Sequence, residues 1–407
     1  MTDAISISSE LIGTERDLVL DDRGRFSWTD ETSEGAWALS GEVKKLHDRC
    51  LDTLIKLSCS SVNVSSPDER WVTMMRTVCR DMTDVPWRRV MPERAHRALV
   101  KGFVDAAVLA LSTGPKAFYE GTWVNGNRIL RALRPAMIDR LAWDRARFSR
   151  TSDSWVIESF KPDRESGLAS EISYDRFGAV TGRLTVDGGP NALVLRKEDR
   201  SIVKSVHGDD GCIVALDFNA LEARIALYEN GRRCDDPDLY GSIADELGMS
   251  GMRKAVKGAV ICELYGGNVH AMVSVLGIDK QQASKIVKDV RVHFGTKKLL
   301  DRVKKQFVES GRISNRYGRP VLVDVPNDNI LVNYYCQSTG VDVALTGFGI
   351  VMDELSVRAP SARPLFVIHD GLVIDVMKSE LEALESVNEV KVPGYVQAFP
   401  LKCLQWA

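Results

Sequence analysis

Two short apolar runs, CIVALDF (Cys212–Phe218) and PLFVIHD (Pro364–Asp370), each lead to an aspartate. A run of this length, rich in Val, Ile and Leu, reads as a buried strand. A carboxylate at its end is carried by a rigid sheet while facing a cleft. Taken singly, either aspartate reads as a strand-end turn residue. Brought together, Asp217 and Asp370 would repel each other unless a divalent cation lay between them. The second run continues past Gly371 into LVIDV, so Pro364–Val376 reads as a β-hairpin around a His-Asp-Gly turn.

Between the two aspartates lies GMRKAVKGAVICELYGGN (Gly251–Asn268). Arg253, Lys257, Ile261 and Tyr265 recur every fourth residue, so a helix would stack them on one face. Its cationic end would lie about 18 Å from its aromatic end. Such a face suits a polyanion and a flat ring system. The same spacing also describes a plain basic amphipathic helix stopped by glycine. Gly251–Pro320 holds fifteen Lys or Arg against five Asp or Glu, in a chain of formal net charge −2. A locally basic segment in a near-neutral chain fits a phosphate-tracking groove and argues against an indiscriminate nucleic-acid binder.

The rest of the chain is read from pattern. Residues 1–35 are polar and acidic and read as a loose lead-in. From Ser40 a helical face carries Val43, Leu46, Cys50, Leu54 and Leu57. Pro92 opens a helix that stops at Gly114–Pro115, and Arg128–Arg147 is helical with a restart at Pro135. Residues 36–150 thus form a helical domain. Trp155–Phe160 and Ala169–Phe177 read as the strands of a hairpin. After CIVALDF come a helix over Leu221–Tyr228, helices from Pro237 to Glu309, two strands within Arg312–Val325, a helix over Leu331–Leu355 and the closing hairpin. The fold class is α+β. The eight cysteines show no CxxC spacing and read as reduced thiols of a cytoplasmic protein. No apolar run approaches a membrane span, and the acidic N-terminus is unlike a signal peptide, so no membrane partner is expected.

DFNALEAR (Asp217–Arg224) resembles motif A of the family A DNA polymerases, whose pattern is DYSQIELR. RKAVKGAVICELYGG (Arg253–Gly267) resembles their motif B, R…K…YG, and HDGLVIDV (His369–Val376) their motif C, HDELVFEV. Weaker matches lie between: GAVTGRL (Gly178–Leu184) with its following Pro190–Asn191, DLYGSIADELG (Asp238–Gly248), the run from LGIDKQQASKIV to GRISNRYGRP, and NYYCQSTGVDVAL (Asn333–Leu345). The resemblance runs from about Ala169 to the C-terminus, in the family's order. It implies a right-hand fold: an antiparallel palm sheet from residues 151–228 and 312–407, helical fingers from 229–311 and a helical thumb from 36–150.

The resemblance further implies a template-directed DNA polymerase that adds dNTPs to a primer 3′-hydroxyl with two Mg²⁺ ions, Mn²⁺ being a substitute. Asp217, Asp370 and the backbone carbonyl of Phe218 would hold the metals. Arg253 and Lys257 would hold the triphosphate, with Lys257 counted among the catalytic groups. Ile261, Tyr265 and Gly266 would meet the incoming nucleotide, and Glu222 would stand against its 2′ carbon, favouring deoxynucleotides. Arg183, Asn333 and Gln337 would contact the minor groove of primer–template DNA, His369 the primer terminus and Arg319 a phosphate. A helicase, primase or processivity factor would be replication partners. The segment before residue 151 shows no acidic D-x-E constellation on a strand, so no proofreading exonuclease is expected, and the compact, divergent sequence suggests a phage or mobile element working in host cytoplasm.

Four positions depart from the family pattern. Ile261 replaces an aromatic residue, Gly371 the motif C glutamate, Asn329 a minor-groove arginine and Met252 the first arginine of a frequent pair. Three other readings remain: a single-subunit RNA polymerase, a degenerate polymerase fold that only binds primer–template, and a metal-dependent nuclease. Glu222, the TGR segment and the N…Q pair favour DNA synthesis. Ile261→Phe restores the missing ring and should lower the dNTP KM in primer extension; an unchanged or raised KM would mean that this helix does not face the nucleotide.

Overall fold

A computed structural model describes residues 3–30, 35–41, 49–58, 66–82, 84–149, 153–265 and 269–406. The chain divides into two compact units, Met1–Val124 with Gly318–Pro320, and Asn125–Tyr317 with Val321–Ala407.

In the first unit the segment read as a loose lead-in is a sheet. Strands Ile5–Ile7, Asp17–Leu20, Phe26–Thr29 and Trp37–Leu39 form it, with Ile5–Ile7 between Asp17–Leu20 and Trp37–Leu39. Ile5, Ile7, Trp37 and Leu39 are buried. The acidic residues that made the segment look unstructured hold its turns. Asp17 accepts the Ser9 N–H at 2.7 Å, and Asp21 accepts the N–H groups of Arg23 and Arg25 at 3.0 and 2.8 Å. Of the helix expected from Ser40, Leu51–Ser58 is present with Leu54 and Leu57 buried, while residues 42–48 lie outside the described residues. Helix Glu93–Thr113 runs between Pro92 and Gly114 as its breakers predict. The unit ends at Val124, short of the expected boundary at 150, so the helices Val124–Ala132 and Arg140–Arg147 belong essentially to the second unit.

The second unit is built on five strands: β1 (Gly211–Phe218), β2 (Arg363–Ile368), β3 (Gly371–Met377), β4 (Glu389–Val390) and β5 (Phe399–Gln405). Their order is β2-β3-β1-β5-β4, antiparallel throughout. Because side chains alternate along a strand, Val214, Leu216 and Phe218 share one face of β1 and Asp217 lies on the other. The apolar face packs on a 31-residue helix, Asp328–Arg358. The rings of Phe218 and Phe348 meet there at 5.3 Å. On the opposite face, Ile213 and Val373 join Ile157, Phe160, Phe366 and Trp406 in a second core.

Trp155–Phe160 is not a strand. Ser154–Ser159 is helical, with Val156, Ile157 and Phe160 turned into that second core and the Trp143 indole N–H donating to the Ile157 carbonyl at 2.7 Å. Six residues are too few to separate a strand run from one helical turn by pattern. The expected hairpin exists with a different partner, since Ser173–Asp175 pairs with Thr185–Gly188.

The helices that frame the cleft are α1 (Leu221–Glu229), α2 (Leu239–Glu246), α3 (Arg253–Tyr265) and α4 (Asp328–Arg358). Arg224 of α1 is fully buried, and its guanidinium donates to the carbonyls of Asn219, Cys234, Asp236 and Pro237 at 3.0, 2.7, 2.6 and 3.1 Å. It staples the loop that leads into α2. Arg224→Leu strips these carbonyls of their charged donor and should cost about 3 kcal/mol of unfolding free energy in urea melts; a loss below about 1 kcal/mol would contradict the staple.

Candidate active site

Two backbone features bring the aspartates together. Gly371 of β3 pairs in register with Asp217 of β1, and the Phe218 N–H donates to the Asp370 carbonyl at 3.0 Å. His369 and Asp370 form the two-residue turn between Ile368 and Gly371, with His369 at φ 54°. A left-handed non-glycine residue is strained, and such strain persists where the surroundings fix it. A Cβ built on Gly371 would lie 3.1 Å from Asp217 Oδ1. The Asp217 carboxylate therefore leans over the spot where the family's motif C glutamate would begin its side chain.

The electrostatics follow from this crowding. Burial, and then the charge of Asp370, push the Asp217 carboxyl up to about 7, with Lys402 opposing. Burial also raises Asp370, against His369 and Arg183. Two part-buried carboxylates that resist ionisation suit a hard divalent cation. Mg²⁺ commonly takes one or two protein carboxylates and completes its shell with substrate phosphates and water. Asp217 and Asp370 therefore fit an ion whose remaining shell substrate and water complete; among the described residues no group of three or more His, Cys, Asp or Glu is placed to hold a metal.

A cavity of about 470 Å³ opens beside Asp370; Arg183, Glu222, Tyr240, Ile261, Tyr265, Gln337 and His369 are among its lining residues. The α3 face forms as its spacing predicts: Arg253, Lys257, Ile261 and Tyr265 are all exposed, while Ala255, Val256, Ala259 and Val260 are buried. Arg253 does not stand free. Its Nε lies 2.8 Å from both Asp238 oxygens, and the Tyr240 ring has Arg253 and Lys257 each 5.8 Å from its centroid. Glu222 is bound by Arg183 at 2.7 Å. Burial raises the Glu222 carboxyl, with Arg183 opposing. On α4, Gln337 reaches the cavity, and Asn333 sits half-buried one turn earlier, outside the lining. Gly266 lies outside the described residues.

Arg319 corrects an expectation. It belongs to the first unit and is 3% exposed, with its guanidinium over the rings of Phe118 and Trp123 at 5.1 and 5.3 Å. An arginine stacked and buried in this way supports packing and is not presented to a phosphate.

Sequence reasoning missed three residues at or near the site. Asp238, one residue before α2, was visible as a helix-start aspartate, but its bond to Arg253 was not. Tyr240 follows it on α2. Lys402 stands opposite Asp217 in the β5–β1 register, and pairing across strands leaves no spacing signal. Asp342, in the same helix as Gln337, is fully buried and structural: it accepts from Asn315 at 2.7 Å and lies 3.5 Å from Arg176.

Paired strand-end aspartates beneath a helix bearing Arg, Lys and Tyr, on an antiparallel sheet flanked by helices, define a right-hand polymerase fold of the α+β class. The chain belongs to DNA polymerase family A, whose family model matches residues 169–403. It is 24% identical over 270 residues to the DNA polymerase of Mycobacterium phage L5, covering 62% of this chain and 44% of that protein. It is also 24% identical over 252 residues to DNA polymerase I of Geobacillus stearothermophilus, covering 54% of this chain and 29% of that one. The chain thus spans less than half the length of these curated relatives. Among solved structures, the POL domain of Pol1 from M. smegmatis, in complex with DNA primer-template and dNTP, is similar in fold, with a TM-score of 0.58 at 14% identity over 99% of this chain and 95% of that chain.

The raised Asp217 carboxyl has a consequence for stability. Its folded pKa, about 7, exceeds the ordinary 3.8, so the folded state holds this proton more tightly. Stability from this group is therefore full below about pH 4 and falls as pH rises toward about 7. Asp217→Asn should stabilise the metal-free protein at about pH 8 by about 2 kcal/mol, roughly half of what the full shift carries because the group is only part-buried. In thermal melts the two proteins should converge below about pH 4; a variant less stable at high pH would contradict the burial and repulsion that raise this carboxyl.

Proposed function

We propose that this chain is a template-directed DNA polymerase, extending a primer 3′-hydroxyl with dNTPs by nucleotidyl transfer. The observation that carries it is the placement of Asp217 and Asp370 on adjoining strand ends, with Asp370 lining a cleft that Ile261 and Tyr265 of α3 also line and Arg253 and Lys257 exposed further along the same helix face. Asp217 and Asp370, with the Phe218 carbonyl, would hold two Mg²⁺ ions, or Mn²⁺ in their place. Held there, such ions would supply acidification of the attacking hydroxyl and charge stabilisation of the leaving pyrophosphate.

The chain's own residues supply the rest. Lys257 meets the triphosphate directly, and Arg253 exchanges its bond to Asp238 for phosphate oxygens, a bidentate acceptor of the same kind. Tyr265 and Ile261 border the nascent base pair. Glu222 stands against the sugar's 2′ carbon, where a ribose hydroxyl would clash or be buried unpaired. Arg183, Gln337 and Asn333 donate to minor-groove acceptors, which occupy similar places in every base pair and so test pairing without reading sequence. His369 lies beside the primer terminus. We assign residues 36–124 to the thumb, 229–311 to the fingers and the β1–β5 sheet to the palm.

Two further elements belong to the proposal. Synthesis without proofreading by this chain is part of the proposal, and the mismatched-primer assay below tests it. The similarity to mycobacteriophage DNA polymerases supports a role in replicating a phage or mobile element; work in host cytoplasm with a helicase, primase or processivity factor as partners belongs to the same proposal. No single described helix is long and apolar enough to cross a membrane.

Primer extension in Mg²⁺ tests this directly. The chain should extend a matched primer with dNTPs at least about a hundredfold more efficiently than with rNTPs, and leave a mismatched 3′ end uncut. Asp217→Asn should lower kcat by about a thousandfold or more. Binding without extension would indicate an accessory protein, equal use of rNTPs an RNA polymerase, and cleavage of the primer a nuclease.

A further inference from the structure

We propose that Lys402, which lies in none of the recognised motifs, is a further contact for the triphosphate of the incoming nucleotide, reaching it from the sheet while Lys257 reaches it from α3. The inference rests on the polymerase reading and extends it.

The position comes from register. Lys402 of β5 pairs directly with Asp217 of β1, as Gly371 of β3 does from the other side. Directly opposed residues of antiparallel strands project from the same face, their Cβ atoms about 5 Å apart. The lysine stem therefore starts beside the carboxylate expected to carry metal. Asp217 leans the other way, towards Gly371, whose missing side chain leaves room for it. Lys402 is exposed, and among the described residues it forms no ion pair.

The neighbourhood says which part of a nucleotide it faces. The Asn219 N–H donates to the Pro400 carbonyl at 2.9 Å, and the Asn219 side-chain amide donates to the Pro237 carbonyl. The start of β5 is thereby tied to the loop that delivers Asp238, the partner of Arg253. In agreement, the Lys402 charge bears on both carboxylates, lowering Asp217 and Asp238. Lys402 thus sits on the side of Asp217 that borders the Asp238–Arg253 pair, where a triphosphate lying along α3 would end.

Charge accounting points the same way. Arg253 is engaged by Asp238 and Arg183 by Glu222, whereas Lys257 and Lys402 form no ion pair among the described residues. A triphosphate brings several negative charges to a site already holding two carboxylates. A flexible, compact ammonium on the sheet can follow it through transfer and pyrophosphate release.

The test is equilibrium binding of the next correct dNTP to the full chain on a dideoxy-terminated primer–template, with Ca²⁺ as a non-reactive metal. Lys402→Ala should weaken dNTP binding about tenfold, and Lys402→Arg should return it to within about threefold of the unaltered chain. Primer–template affinity and melting temperature should not change, and inhibition of extension by inorganic pyrophosphate should weaken in parallel. Unchanged dNTP affinity in Lys402→Ala would overturn the proposal, as would a loss confined to primer–template affinity, which would place the lysine on the primer backbone. If the unaltered chain binds no dNTP on primed DNA, the polymerase reading fails and takes this proposal with it.

Discussion

The hydrogen bond from the Phe218 N–H to the Asp370 carbonyl, with Gly371 registered opposite Asp217, is the constraint on which the rest of this molecule depends. It closes the β2–β3 hairpin onto β1 and fixes two like charges on neighbouring strand ends. Left alone, that arrangement is unfavourable: burial holds both carboxyls above their ordinary range, and the Asp370 charge adds to the rise at Asp217. It persists because the other face of the same strands is apolar. Val214, Leu216 and Phe218 bury against α4, and the few kilocalories stored at the carboxylates are small beside the burial of several such side chains, each contributing about 1.5–3 kcal/mol.

Buried polar groups hold the cleft's walls in place. Arg224 staples the loop before α2, and Asp342 ties α4 to Asn315 in the adjoining turn. Glu229, at the C-terminal end of α1, is almost fully buried between Arg302 and the Tyr395 hydroxyl. By contrast, the cations proposed to meet substrate are held only by part-exposed partners: Arg253 by Asp238, and Arg183 by Glu222. Exposed pairs of this kind contribute little and are readily exchanged, whereas the buried ones are costly to break. The molecule therefore separates a fixed frame from a set of replaceable contacts at the site.

Much of this was legible in the sequence. The every-fourth-residue face of α3, the strand-end aspartates and the closing hairpin each carry a local period, and all three appear as read. Gln337, Arg183, Glu222 and His369 came through motif order and meet in one cavity. What could not be read depends on partners distant in the chain. Acidic residues at the N-terminus looked like disorder because nothing local shows that Asp17 and Asp21 hold turns between the strands of one sheet. Trp155–Phe160 is too short to declare its period. Arg319 took its expected phosphate contact from the resemblance, and only the tertiary fold stacks it against Phe118 and Trp123. Asp238 and Lys402 owe their places to a side-chain bond and a strand register, neither of which leaves a spacing in the sequence.

The central claim is that register alone makes Asp217 and Asp370 one metal-binding unit. Manganese titration of the chain with dideoxy-terminated primer–template and the next dNTP, followed by electron paramagnetic resonance, reads that unit directly. About two bound Mn²⁺ per complex are expected for the unaltered chain, with a loss of at least one in Asp370→Asn at the same DNA and dNTP occupancy. A stoichiometry left unchanged by Asp370→Asn would contradict it, because the ions would then be held elsewhere.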